Sequence, residues 1–251
     1  MNQEQHRTIS VKSFSEVAIP HLVRIIEANI AVMDRLVEQI FTDVKAGRSL
    51  LVFGSGHSGI FPMELYHRAG GPSFVIPVVA DYLLPTAGPT VVRVLERTPG
   101  AANAVLNRVE PQAGEMIWLC SQSGINSAII DLALECKARG LRTVAFTSKV
   151  HSLSGPSRHA SGKRLFEVCD ETVDLGGVAG DAAVKLNDDT RAGPLSSLGA
   201  IMLAHSIIVS ACAKLEQAGV RCVYTSVNTP DGESRNKKLE EIAKKRDYLL
   251  R

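Results

Sequence analysis

The chain has 251 residues, enough for one large domain or two small ones. Apolar residues make up 45% and charged residues 22%, a globular composition that excludes wholesale disorder. With 28 Lys and Arg against 26 Asp and Glu, the formal charge is +2, which gives no basic footprint for nucleic acid or an anionic membrane surface.

The polar start (MNQEQHRTIS) has no apolar core of a secretory leader. From about residue 14 to 46, Leu22, Ile25, Ile26, Ile30, Met33, Leu36, Val37, Ile40, Phe41 and Val44 recur at steps of three and four, predicting a long amphipathic helix. Pro20 marks a break or the first turn of that helix, and Ala46-Gly47 is its stop. Residues 50–53 (LLVF) form a short apolar run, the pattern of a buried parallel strand, entering Gly54-Ser55-Gly56-His57-Ser58-Gly59 and a helix over 60–69. Further strands are predicted at 74–79, 116–120 (MIWLC), 143–146 and 171–175. Helices are predicted at 125–139 and 195–215, and a final edge strand at 220–227. The alternation implies a doubly wound, Rossmann-like α/β sheet with ligands beyond the carboxyl ends of its strands. Residues 81–103 and 148–165 read as flaps over the site. The charged segment 229–251 ends in a solvated helix, with Glu240/Lys244 and Glu241/Lys245 at favourable spacing. No apolar run reaches the ~18 residues that a spanning helix needs, so no membrane association is expected. Five cysteines (Cys120, Cys136, Cys169, Cys212, Cys222) without paired C-x-x-C spacing read as reduced thiols of a cytoplasmic protein.

Two loops carry the chemistry. The first, at 54–59, joins glycines that expose backbone N–H groups to the hydroxyls of Ser55 and Ser58 at a helix start, a combination suited to phosphate. It lacks the G-K-[ST] ending of a nucleotide-triphosphate loop. Its glycines have dinucleotide-loop spacing, but no acidic residue closes a second strand about 20 residues later. The second loop, Ser121-Gln122-Ser123-Gly124-Ile125-Asn126-Ser127, repeats the design at another strand exit. Neutral donors without lysine suit a phosphomonoester held by hydrogen bonds, with no metal demanded; no H-x-x-x-H pair offers one a site.

GSGHS, the SQSG after MIWLC, and GPLSS at 193–197 before an apolar helix resemble the SIS (sugar isomerase) family over about residues 30–215. That resemblance implies a five-stranded parallel sheet flanked by helices, and a phosphosugar ligand held by Ser58, Ser121, Gln122 and Ser123, with Asn126 where the family often has threonine. The runs GSGHSGIFPMELYHRAGG, SRHASGKRL and NTPDGESRN are similar to a small branch linked to dehydration of N-acetylglucosamine 6-phosphate, itself similar to the N-acetylmuramic acid 6-phosphate etherases. Relatives are dimers or tetramers, so a homodimer or homotetramer is expected. The whole chain, 1–251, reads as a single domain of this type.

Isomerisation and 2,3-elimination both begin with a base that removes the proton alpha to the open-chain carbonyl. Glu64, on the helix after the first loop, is the leading base; a surface pair with Arg68 is the plain alternative. His57 can donate to phosphate or ring oxygen, and His159 is a candidate acid from a flap. His205 in the apolar helix, His67, Asp181 and Asn228 are lesser candidates explained equally by core packing, exposure or turn formation. The expected reaction is a lyase on N-acetylglucosamine 6-phosphate without a redox cofactor. The alternatives are an aldose–ketose isomerase, an etherase, and a sugar-phosphate-binding regulator without chemistry.

Overall fold

A computed structural model describes residues 9–187 and 189–251, so the first eight residues of the polar start lie outside the described residues. In chain order the first half contains α1 (Ser13–Lys45), β1 (Leu50–Gly54), α2 (Ile60–Leu65), β2 (Val75–Val78), α3 (Pro89–Leu95), α4 (Leu106–Val109) and β3 (Met116–Cys120). Then follow α5 (Ser127–Ala138), β4 (Arg142–Thr147), α6 (Lys149–Leu153), α7 (Leu165–Val168) and β5 (Glu171–Asp174). The chain closes with β6 (Ala182–Lys185), β7 (Arg191–Pro194), α8 (Ser196–Gln217) and α9 (Gly232–Ala243).

Five strands form one parallel sheet in the order β2-β1-β3-β4-β5. The alternation of side chains along each strand divides the core into two layers. Leu50 and Val52 of β1, with Met116, Trp118 and Cys120 of β3, face the layer built by α1, α2 and α8, where Leu36, Ile40, Phe61, Leu203 and Ile207 are buried. Leu51 and Phe53, with Ile117 and Leu119, face the other layer, where α4, α5 and α7 supply Leu106, Ile130, Leu132 and Leu165. A central strand must be apolar on both faces under such cover, which is why β1 and β3 read as unbroken apolar runs. Pro77 lies in β2, an edge strand, where its missing N–H costs no ladder bond.

The order has one reversal. From β1 the chain goes out to β2, then returns across β1 to pair β3 on its other side. At such a switch point the loops leaving β1 and β3 diverge and open a crevice between them.

Several boundaries differ from the sequence expectations. Helix α1 runs through Pro20, because Ala18, His21 and Ile25 are buried on either side and hold the turn despite the lost hydrogen bond. Helix α2 stops at Leu65 rather than near residue 69. The chain there turns away to bond with the segment after α8: Gly70 N–H donates to Tyr224 O at 2.8 Å, and Tyr224 N–H to Gly71 O at 2.9 Å. Segment 220–227 is therefore no strand of the main sheet, and among the described residues it forms the single bridge Pro72–Val223. The flap segments contain helices α3 and α6, and the hairpin β6–β7 was not anticipated.

The C-terminal segment is more than a solvated helix. After α9, Arg246 donates to both oxygens of the fully buried Glu115 at 2.9 and 2.8 Å, and the Tyr248 phenol donates to Pro77 O at 3.1 Å. Contrary to the sequence expectation, α8 is long and apolar enough to cross a membrane by length and composition. Half of its apolar stretch is buried inside the protein, with Leu203, Ile207, Ala211 and Leu215 packed in the core.

Candidate functional site

The crevice at the carboxyl ends of β1 and β3 is a cleft of about 650 Å³. Three hydroxyl-bearing segments converge on it: Ser55 and Ser58 after β1, Ser121 and Ser123 after β3, and Ser196 and Ser197 in the first turn of α8.

Backbone geometry shapes each segment. A Cβ at Gly54 would meet the Ser58 carbonyl oxygen at 2.0 Å, so the tight return of the first loop requires glycine there. Gly124 has φ +58°, and a Cβ would lie 2.7 Å from Thr147 Oγ1. The second loop is tied to its neighbours by Ser121 N–H to Phe146 O (3.0 Å), Ser148 N–H to Gln122 O (3.1 Å) and Leu165 N–H to Gly124 O (2.8 Å). Ser121 Oγ accepts from Gly124 N–H at 3.2 Å. Asn126 Oδ1 accepts from the Arg158 guanidinium at 2.8 Å, which fixes that arginine on the cleft wall.

Asp181 is a positioning group. Its carboxylate accepts from Leu195 N–H (3.1 Å), Ser196 N–H (3.0 Å) and Ser196 Oγ (2.6 Å), so it caps the start of α8. Gln122 Nε2 approaches the same carboxylate at 3.4 Å, while Gln122 Oε1 is buried with no partner.

Of the sequence candidates, the cleft brings together Ser55, His57, Ser58, Ser121, Gln122, Ser123, Asn126 and Asp181. It does not include Glu64, which pairs with Arg68 and lies 3.2 Å from His205 Nε2 on the seam of α2 and α8. His159 also stands off the cleft: Nε2 meets Asp131 Oδ1 at 2.9 Å and Nδ1 meets Ser161 Oγ at 2.7 Å, anchoring the segment that carries Arg158. His67 faces Glu240 at 3.5 Å, and Asn228 lies in an exposed turn.

Residues that the sequence reading missed also line the cleft: Arg93, Glu96, His151 and Arg158. Glu96 follows α3 and accepts from Ser55 Oγ at 2.7 Å; its carbonyl takes the Ala128 N–H at 3.1 Å, which fixes it to α5. Because Asp181 is engaged by the α8 cap, Glu96 is the cleft carboxylate with an oxygen that makes no hydrogen bond within the described residues. The signal was an Arg93/Glu96 pair one helical turn apart inside a stretch read as a flap. His151 Nδ1 is buried without a partner. At the cleft floor, burial pushes the Cys120 thiol up to about 12, with Ser58 opposing, so it is a packed thiol rather than a nucleophile. Among the described residues, no three His, Cys, Asp or Glu side chains are grouped to hold a metal ion.

Hydroxyl-rich turns line a cleft at the switch point of a parallel 2-1-3-4-5 sheet, the place where doubly wound α/β proteins bind their ligands. The sequence matches the SIS domain family over residues 13–148, and the chain belongs to that family. It is 33% identical to the UPF0309 protein of Shouchella clausii over 210 residues, covering 82% of this chain and 85% of that one. It is 35% identical to the UPF0309 protein of Thermoanaerobacter pseudethanolicus over 201 residues, covering 78% and 81%. Its fold is similar to a phosphoheptose isomerase from Francisella tularensis (TM-score 0.51, 14% identity, covering 80% of this chain and 95% of that one). The phosphoheptose isomerase from Neisseria gonorrhoeae gives 0.50 and 13% over the same shares.

Proposed function

We propose that this chain is a cytoplasmic phosphosugar enzyme, most concretely a lyase that dehydrates N-acetylglucosamine 6-phosphate, and that residues 1–251 act as one domain. The observation that carries the reading is the convergence of three serine-bearing segments on one cleft. Ser58, Ser121, Ser123 and Ser197, with the exposed N–H groups of the loops, supply neutral donors for a phosphate dianion. Binding energy from that remote group orients C2 and C3 of the open-chain sugar.

Glu96 takes the C2 proton. The C2–H electron pair becomes the C2=C3 double bond, the C3–O bond breaks, and the hydroxyl leaves as water with a proton from an acid. His57, on the cleft and with no hydrogen bond to its ring among the described residues, is the candidate acid and ring opener. The step is redox-neutral and needs no cofactor. Glu64 and His205 enter this scheme only from a second copy of the chain. The exposed apolar side chains Ile60, Met63, Met202 and Val209 on α2 and α8 favour such self-association, as a homodimer or tetramer.

The second reading is an aldose–ketose isomerase, favoured by Glu96 keeping one carboxylate oxygen without a hydrogen bond within the described residues, which suffices to move a proton between C2 and C1. Incubation with N-acetylglucosamine 6-phosphate decides: loss of water with an unsaturated chromophore supports the lyase, and unchanged mass with a ketose product supports the isomerase. Release of lactate from the lactyl ether analogue would mean an etherase. Saturable binding without product, unaffected by Glu96→Gln, would mean a regulator.

A further inference from the structure

A second cavity, of about 350 Å³, opens at the other end of the sheet. Ser49 and Phe74, which immediately precede β1 and β2, line it, so it sits at the amino ends of strands whose carboxyl ends carry the cleft. A five-residue strand separates the two by roughly 16 Å. Its apolar wall comes from Phe74 and Ile76 at the start of the edge strand, Val220 after α8, and Leu239 and Ile242 of α9.

The charged groups on this cavity are unbalanced. Arg48, Arg221, Lys245 and Arg246 line it, against one carboxylate, Asp247. Arg48 is paired with Asp43 at 3.2 Å, and Arg246 with Glu115. Asp247 is buried and accepts from Leu249 N–H at 2.9 Å. Arg221 and Lys245 are exposed, and neither makes an ion pair or side-chain hydrogen bond within the described residues. Arg246 Nε, behind the wall, is buried without an acceptor.

Two uncompensated cations beside an apolar hollow call for a ligand with two negative charges on one group and a flat apolar body. A guanidinium matches phosphate oxygens in pairs and stacks on rings, whereas an ammonium serves as a point charge. The volume suits a small molecule rather than a peptide segment. We propose that this cavity binds a phosphomonoester bearing an aromatic body, the chemistry shared by nucleoside monophosphates and aryl phosphates. The proposal stands apart from the reaction assigned to the cleft.

Calorimetric titration of the full chain at low salt tests it, with adenosine 5′-monophosphate, phenyl phosphate, adenosine and inorganic phosphate as probes. One or both phosphomonoesters should bind at least tenfold more tightly than adenosine or inorganic phosphate. Whichever ester binds better identifies the body. The double variant Arg221→Ala/Lys245→Ala should weaken that binding tenfold or more with an unchanged melting curve, and Arg221→Lys should retain it within a few-fold. Ser58→Ala/Ser123→Ala, which empties the cleft under the functional reading, should leave it intact. Binding insensitive to Arg221 and Lys245, binding lost with the two serines instead, or no heat from either ester at millimolar concentration would each overturn the assignment.

Discussion

Two glutamates compete for the role of base, and their surroundings separate them. Glu96 faces the cleft and holds one hydrogen bond from Ser55, whereas Glu64 is engaged by Arg68 and His205 outside it. Glu96→Gln is expected to lower kcat by at least a thousandfold, about 4 kcal/mol of transition-state stabilisation, with sugar-phosphate affinity nearly unchanged. Glu64→Gln should fall as far only if subunits share the site, and mixing it with Glu96→Gln protein would then restore activity in hybrid assemblies. Losing one hydroxyl donor in Ser58→Ala or Ser123→Ala should weaken phosphate binding roughly tenfold, about 1.4 kcal/mol, measurable by titration. The serine positions were legible because a loop's donors are written contiguously at a strand exit. Glu96 and Arg158 were not, since they reach the cleft from separate segments whose placement depends on packing against α5.

Elements dock through a few polar contacts that sequence periodicity does not reveal. The start of α8 depends on Asp181, fifteen residues before Ser196. Asp181→Ala should cost about 1–2 kcal/mol of stability and loosen the Ser196–Ser197 wall, seen as a lower Tm together with weaker ligand binding. Helix α1 buries His21 against the Gly176–Gly177 turn. Burial, assisted by Arg24, lowers the pKa of this imidazole below its ordinary 6.5, so the folded state requires the neutral ring. Its contribution is complete above about pH 6.5 and is lost as pH falls through the folded value, because the unfolded chain binds the proton first. Thermal melts of the wild type should therefore decline between pH 7 and 5 more steeply than those of His21→Gln. The long helices and the five sheet strands were readable from their periods and glycine borders. The 220–227 segment misled because its alternating residues pair with a turn at 70–73 instead of with the sheet. Hairpin β6–β7 (AAVK and RAGP) carries too little alternation to announce itself.

At the scale of the molecule, the C-terminal tail is a clamp. Arg246 meets Glu115, which is fully buried and also accepts from Ser49 N–H (3.2 Å) and Gln112 N–H (2.8 Å). Arg246→Met would strand that carboxylate and should cost about 3 kcal/mol, read as a shifted urea midpoint with an unchanged m value. A single dimension of the sequence hides such a tie, because its partners lie 131 residues apart. The crossing of the chain over β1 has a parallel outcome for assembly. The serines that form one wall system leave the ribosome far apart, the last pair only with α8 near residue 196. A nascent chain halted before that helix would therefore lack a finished receptor for its ligand, and protection of the protein from protease by a sugar phosphate would report that the final long helix has docked.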